Sequence, residues 1–196
     1  MNKSRLAELI ASRICHDIIS PLGAVGNGVE LLSMIIPTSS EELDLVSQSA
    51  ASAAAKAQMF RIAFGPASDD LSVAKADLSN LLGSYFLDGR IICDCHFEGS
   101  LSRSEAKALL LAALCFESSL PTGGRITIQR LDSKWSLEAQ IDGQIDVTPW
   151  ALVQDPALDL ELRPALVHFY LLPLALSSLA RKAVVIQESR HLKLEF

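Results

Sequence analysis

Residues 4–36 read SRLAELIASRICHDIISPLGAVGNGVELLSMII. The apolar positions Leu6, Ile10, Ile14, Ile18, Leu22, Val25, Val29, Leu32 and Ile36 recur at steps of three and four. At 3.6 residues per turn this spacing keeps one face apolar through about nine turns. Pro37 ends the run, because proline lacks the amide donor that a continuing helix needs. A second helix follows at once. Thr38 with Glu41, and Ser39 with Glu42, each spell a capping box. Its apolar positions, Leu43, Val46, Ala50, Ala53, Ala57, Phe60 and Phe64, alternate steps of three and four, a heptad seam that suits shallow-angle packing. Gly65-Pro66 closes it. Two such helices joined by a short turn predict an antiparallel hairpin. One hairpin cannot bury both seams and the flanks between them, so the pattern predicts a homodimer in which two hairpins form a four-helix bundle.

The face opposite the seam carries the chemistry. With Ile18 at zero and about 100° per residue, His16 falls at about 160°, Ser20 at about 200°, Gly23 at about 140° and Asn27 at about 180°. A solvated helix face ordinarily carries Glu, Lys and Arg pairs. This one surrounds a single histidine with small residues, which lets another protein approach the imidazole closely. Asp17, at about 260°, flanks the ring and can bias which nitrogen holds the proton. Arg13 lies near the edge of the same face. Pro21 removes a backbone hydrogen bond one turn beyond His16 at a cost of about 3 kcal/mol. Gly23, Gly26 and Gly28 each cost about 1 kcal/mol more relative to alanine. Local rules tend to fail at functional sites, and so many helix-weakening residues around one histidine mark one. On geometry alone, a surface histidine without a role is the competing reading.

Composition sets the frame around this helix. The chain has 196 residues, 49% hydrophobic and 20% charged, which fits one or two small domains with a real core. The net charge of −6 opposes a general nucleic-acid binder, which needs a basic face. No stretch approaches the roughly 18 uninterrupted apolar residues of a membrane span; the most apolar, 166–179, is cut by His168, Pro173 and two serines. The opening MNKSRLAELIASRICHD meets charges too early for a signal peptide. Cysteines 15, 93, 95 and 115 form no spaced disulfide framework. The expectation is a cytoplasmic protein.

Residues 67–72 read as a linker, and 1–66 and 71–196 as two domains. In the second, a helix is expected near 73–87 and a strand near 90–97. Ser102 with Glu105 spells a capping box for a helix to about 119. The Pro121-Thr-Gly-Gly124 turn leads to strands near 125–131 and 135–141. A helix started by Pro164 should run to about 180, and strands near 183–188 and 191–196 close the chain as a hairpin. This is an α+β protein: a helical hairpin followed by an α/β sandwich. Cys93-Asp94-Cys95-His96 does not read as a metal site. Ile91, Cys93, Cys95 and Phe97 alternate with Ile92, Asp94, His96 and Glu98 as on a strand with one buried face, and no second Cys/His pair stands at zinc spacing. Cys15 reads as a core cysteine, and His168 and His191, which lack motif partners, read as structural.

The segment Arg13-Ile-Cys-His16-Asp17-Ile-Ile-Ser20-Pro21-Leu-Gly23-Ala-Val-Gly-Asn27-Gly28-Val-Glu30-Leu-Leu32 resembles the phosphoacceptor helix of the ChpT-like histidine phosphotransferases. Its H-D-x-x-S-P-x-x-A-x-x-N-G-x-E-L-L spacing is far more specific than a lone His-Asp pair, although the sharp part covers only this segment. It is also similar to the dimerisation and phosphotransfer helix of sensor histidine kinases. The resemblance implies a homodimeric bundle with His16 as phosphoacceptor. It also implies a second domain related to the kinase ATP-binding domain that has lost its nucleotide. It further implies receiver-domain partners: those of a CckA-like hybrid kinase and of CtrA-like and CpdR-like response regulators. Asp17 would orient the imidazole. Arg13, Ser20, Gly23 and Asn27 would form the docking surface, and Mg²⁺ would come with the receiver.

A kinase of that fold holds Mg²⁺ and phosphates with an asparagine and acids on the helix before the Gly-Gly turn. Here that helix has no asparagine, and Glu117 is its only acid beyond the first turn. The nearest match to an Asp-x-Gly-x-Gly loop, Asp142-Gly143-Gln144-Ile145-Asp146, lacks the second glycine, and no GxxxxGK[ST] loop exists. The chain is therefore expected to bind no ATP and no metal of its own. A diverged ATP-dependent histidine kinase and a non-catalytic receiver-docking scaffold are the alternatives.

Overall fold

The computed structural model describes residues 7, 18–19, 22–32, 34–35, 41–67, 70–87, 90–141, 146–158, 160, 163–188 and 190–196, with the backbone alone at 41, 42 and 164. The chain divides into two compact units, Met1–Pro66 and Ala67–Phe196.

In the first unit the described residues of helix α1, 18–19, 22–32 and 34–35, are helical. Pro21, Pro37 and the capping boxes at Thr38 and Ser39 lie outside the described residues. Helix α2 spans Glu41–Ala63. Its middle is rich in alanine, the strongest helix former, and it buries Ala50, Ala55, Ala57, Met59, Ile62 and Ala63. Phe60 and Phe64, one turn apart, bring their rings to 5.3 Å. Gly65 and Pro66 then end the helix, as expected from their missing side chain and missing donor.

The second unit is a mixed sheet with helices against one face. Strand β1 (Ser72–Ala74) leads into α3 (Lys75–Tyr85). Strand β2 (Ile91–His96) and the short β3 (Ser100–Ser102) precede α4 (Arg103–Ser119). Strands β4 (Gly124–Leu131) and β5 (Lys134–Gln140) form a hairpin. Helix α5 (Thr148–Gln154), a 3₁₀ turn at Pro164–Leu166 and α6 (Val167–Ser178) lead to the closing hairpin of β6 (Val184–Glu188) and β7 (His191–Glu195). The sheet order is β2-β4-β5-β7-β6, with β2 parallel to β4 and every other pair antiparallel. Among the described residues, no helix is long and apolar enough to cross a membrane.

Strand alternation builds the core. Ile126, Ile128, Trp135, Leu137, Ala139, Leu192 and Leu194 are buried. Their neighbours Arg125, Gln129, Glu138, His191 and Lys193 lie on the polar face, where Gln129 donates to Glu138 at 2.9 Å and His191 stands 3.3 Å from Glu138. Helix α4 is buried from Ala106 to Phe116, apolar all round except at Lys107, and forms the centre of the unit. Its capping box is formed in both directions, Glu105 N to Ser102 Oγ and Ser102 N to Glu105 Oε2, each at 3.2 Å. Glu105 Oε1 also accepts from Trp135 Nε1 at 3.1 Å and from Arg181 Nη2 at 3.2 Å. One carboxylate thus ties the start of α4 to β5 and to the segment after α6.

The Gly-Gly turn has a steric reason. Gly123 has φ +88, and a Cβ there would lie 2.2 Å from the Arg90 carbonyl oxygen. The Gly124 amide donates to that same carbonyl at 2.8 Å, which starts β4 alongside β2. Only a residue without a side chain allows the two backbones to approach so closely.

Three elements depart from the expectation. The stretch read as linker ends in β1, which pairs with β3 as a separate antiparallel ribbon (Ser72 opposite Ser102), so α3 starts at Lys75. These strands are too short to show a period of two. Helix α5 is only seven residues long, and its N-cap Val147 supplies no side-chain cap. Pro164 opens a 3₁₀ turn instead of α6 itself, which begins at Val167.

Candidate functional site

Gly23 and Asn27, one helical turn apart on α1, are both exposed. A Cβ placed on Gly23, Gly26 or Gly28 would meet nothing within 4 Å, so the space beside these positions is open. Arg13, His16, Asp17 and Ser20 lie outside the described residues. The stripe on the other side of the helix is only partly covered in the single chain. Leu22 and Val29 are half-buried, whereas Ile18, Val25 and Leu32 are 45, 47 and 49% exposed. Leu31, Met34 and Ile35 are exposed too, as are Leu45 and Val46 on α2. Large apolar side chains this exposed along α1 and α2 mark a surface that water covers unfavourably.

In the second unit, the C-terminal turns of α4 gather several polar side chains. Here the polar groups are engaged with each other. Glu117 Oε2 accepts from the Tyr85 hydroxyl at 3.0 Å. Ser118 Oγ and His168 Nε2 stand 3.0 Å apart. Burial pushes the His168 imidazole down to about 4, so it is neutral at physiological pH. Trp150 Nε1 donates to Ser119 Oγ at 2.8 Å, and Ser119 Oγ donates in turn to the Cys115 carbonyl at 3.0 Å. Phe116, Trp150 and Phe169 stack edge to face around this turn, with centroids 5.4 and 5.2 Å apart. Of the Asp142–Asp146 loop, only Asp146 is described. Its carboxylate accepts from the Thr148 amide at 3.0 Å, and the hydrogen bonds from Thr148 hold its pKa below the usual carboxylate value. The bond ties the chain just before α5 to the helix's first residue.

Sequence reading missed the partners of His168 and Tyr85, because Ser118 and Glu117 stand far from them along the chain and no local spacing announces the contacts. Among the described residues, no group of three or more His, Cys, Asp or Glu side chains is placed to hold a metal ion. His96 is exposed, whereas Cys93 and Cys95 are half-buried, as strand alternation requires.

Comparison with known proteins bears on this arrangement. Residues 75–189 match the family described as "Histidine phosphotransferase C-terminal domain". The chain is 36% identical over 128 residues to "Protein phosphotransferase ChpT" of Brucella abortus (strain 2308), an alignment that covers 63% of this chain and 60% of that protein. The match thus spans about 60% of the length of that curated relative. A solved structure of a bacterial phosphotransferase superposes with a TM-score of 0.70 at 25% identity, covering 100% of this chain and 97% of the other.

Proposed function

The chain belongs to the histidine phosphotransferase family matched by residues 75–189, and from that premise we propose that it relays phosphoryl groups between receiver-domain aspartates through a phosphohistidine at His16. The observation that carries this reading is the coupling of a family-matched second unit to a first helix bearing His16-Asp17-x-x-Ser20-Pro21.

In the proposed reaction a neutral imidazole nitrogen of His16 attacks the phosphorus of a phosphoaspartate on a docked receiver, in line with the leaving carboxylate. The aspartate of a second receiver then attacks the phosphohistidine, and the imidazole leaves. Positioning and charge neutralisation supply most of the acceleration in phosphoryl transfer. Asp17 orients the ring and takes up its proton. Arg13 neutralises phosphoryl charge, and Ser20, Gly23 and Asn27 form the docking face, whose small side chains permit close approach. Mg²⁺ is brought by the receiver. The donor is the receiver domain of a CckA-like hybrid kinase, and the acceptors are CtrA-like and CpdR-like regulators. The reaction takes place in the cytoplasm, and residues 1–66 carry both phosphotransfer and dimerisation.

The exposed apolar residues of α1 and α2 support a second copy as the cover of this unit, in a dimeric four-helix bundle. Phosphoryl groups come from proteins and not from ATP, a reading supported by the Glu117–Tyr85 and Asp146–Thr148 hydrogen bonds, which already engage the acids nearest a nucleotide position. The test is transfer of an acid-labile radiolabelled phosphoryl group from a phosphorylated receiver. Wild type takes up the label and His16→Ala stays at background. Labelling of His16→Ala at the wild-type level sinks the assignment, and autophosphorylation with labelled ATP alone sinks the ATP-independent relay.

A further inference from the structure

The turn after α6 and the turn between β4 and β5 line one cavity of about 440 Å³, at the end of the sheet where β5 begins and β7 ends. Lys134, Arg181, Lys182 and Glu195 are its charged lining, and Leu179, Val184 and Phe196 give it an apolar wall. Its volume falls in the range of small-molecule sites. Both sides are tied down. The Arg181 amide donates to the Leu176 carbonyl at 2.9 Å and the Ala180 amide to the Ser177 carbonyl at 3.0 Å, a Schellman closure of α6 with Ala180 at φ +54. Opposite, Trp135 and Phe196 exchange backbone hydrogen bonds of 2.8 and 3.0 Å. Positive charge is in excess here. Glu105 Oε1 accepts from Arg181 Nη2 at 3.2 Å and stands 3.9 Å from Arg130 Nη2, so one carboxylate serves two guanidiniums. Glu195 Oε1 is held by Lys193 Nζ at 2.8 Å. Lys134 and Lys182 are exposed, and among the described residues neither ammonium stands in an ion pair. Arg181 Nη1 is buried and has no acceptor among the described residues. A buried donor left unpaired is costly, and such groups are rare in folded proteins.

We propose that this cavity binds a small phosphate monoester with an apolar body. A phosphate monoester carries about −1.5 to −2 charge at pH 7, which matches the two lysines and the half-satisfied guanidinium. It neutralises Lys134 and Lys182 and gives Arg181 the acceptor it lacks. A guanidinium presents its donors as a planar fork that suits phosphate oxygens. Glu105 keeps Arg181 Nη2 in place, so the fork is held before the ligand arrives. The body of the ester lies against Leu179, Val184 and Phe196. Val184 is 52% exposed in the empty cavity, and covering it removes apolar surface from water. A carboxylate brings a single negative charge and binds more weakly. The site lies wholly within the second unit and is independent of phosphotransfer through His16.

The full-length protein, labelled with heavy nitrogen, is titrated with phenyl phosphate and followed by its amide chemical shifts. Saturable shifts are expected at 133–134 and 180–184, with a Kd below about 1 mM. Inorganic phosphate, phenol and benzoate each lack part of the ligand and bind about tenfold more weakly or less. The double substitution Lys134→Gln, Lys182→Gln raises the Kd about tenfold or more. Lys56→Gln, the same change at an exposed lysine of α2, leaves it unmoved. Added salt weakens binding, because the lysines are exposed. Thermal melting of each variant establishes that it is folded, and the comparison of the four probes on wild type needs no variant. Shifts that do not saturate, or that saturate away from the cavity, overturn the proposal. So does an equal Kd for the double variant and wild type. Inorganic phosphate or benzoate binding as tightly as phenyl phosphate also overturns it, because the cavity then takes any anion.

Discussion

Helices α1 and α4 are both made largely of apolar and small residues, yet they end in opposite surroundings. Helix α4 is covered on every side from Ala106 to Phe116 by the sheet and α6. Helix α1 keeps Ile18, Val25, Leu31, Leu32, Met34 and Ile35 exposed. The difference lies in what each unit contains. The second unit has a sheet and several helices to enclose its most apolar segment. The described residues of the first unit belong to two helices, which carry more apolar surface than two helices alone can cover. A complete core and an incomplete one therefore stand in the same chain, and the incomplete one carries the proposed chemistry.

The sharpest way to break this contrast is to open the closed unit. Gly123→Ala forces a Cβ against the Arg90 carbonyl at a positive φ. We expect a loss of about 4 kcal/mol or more in chemical denaturation of the second unit. Near-wild-type stability would mean that the β2–β4 junction adapts freely. Next comes Glu105→Ala, which strips the acceptor from Trp135 Nε1, Arg181 Nη2 and the Ser102 amide together. The expected cost is about 3 kcal/mol, read by the same denaturation.

The open unit should respond in association and not in folding of its neighbour. Leu32→Glu places a carboxylate in the exposed apolar stripe. For the proposed dimer we expect the dissociation constant to rise about 100-fold, equivalent to about 2.7 kcal/mol, in sedimentation equilibrium. The melting of the second unit should not move. An unchanged constant removes this stripe from any dimer interface.

The smallest expected effect is the pH dependence contributed by His168. Its pKa is about 4 in the folded protein against 6.5 for the free side chain. The unfolded chain therefore binds the proton more readily in this range. The contribution is fully present above about pH 6.5 and is lost as pH falls toward 4. Subtracting the stability curve of His168→Gln from that of wild type isolates it, and a flat difference refutes the assignment.

What could be read in advance follows from the range of the forces involved. Capping at Ser102 and Glu105, the end of α2 at Gly65-Pro66, the alternation along β2 and β4 and the closing hairpin all depend on residues a few positions apart. So does the His16-Asp17-x-x-Ser20-Pro21 spacing, a pattern within one helix. The sequence by itself determined these, because periodicity and backbone capping act locally. Only the tertiary structure decided that β1 pairs with β3 and that Glu117 meets Tyr85. It alone put Ser118 beside the buried His168 and let one carboxylate, Glu105, join Trp135 and Arg181. Those contacts join residues from separate elements, and only the packing of one element on another brings them within reach.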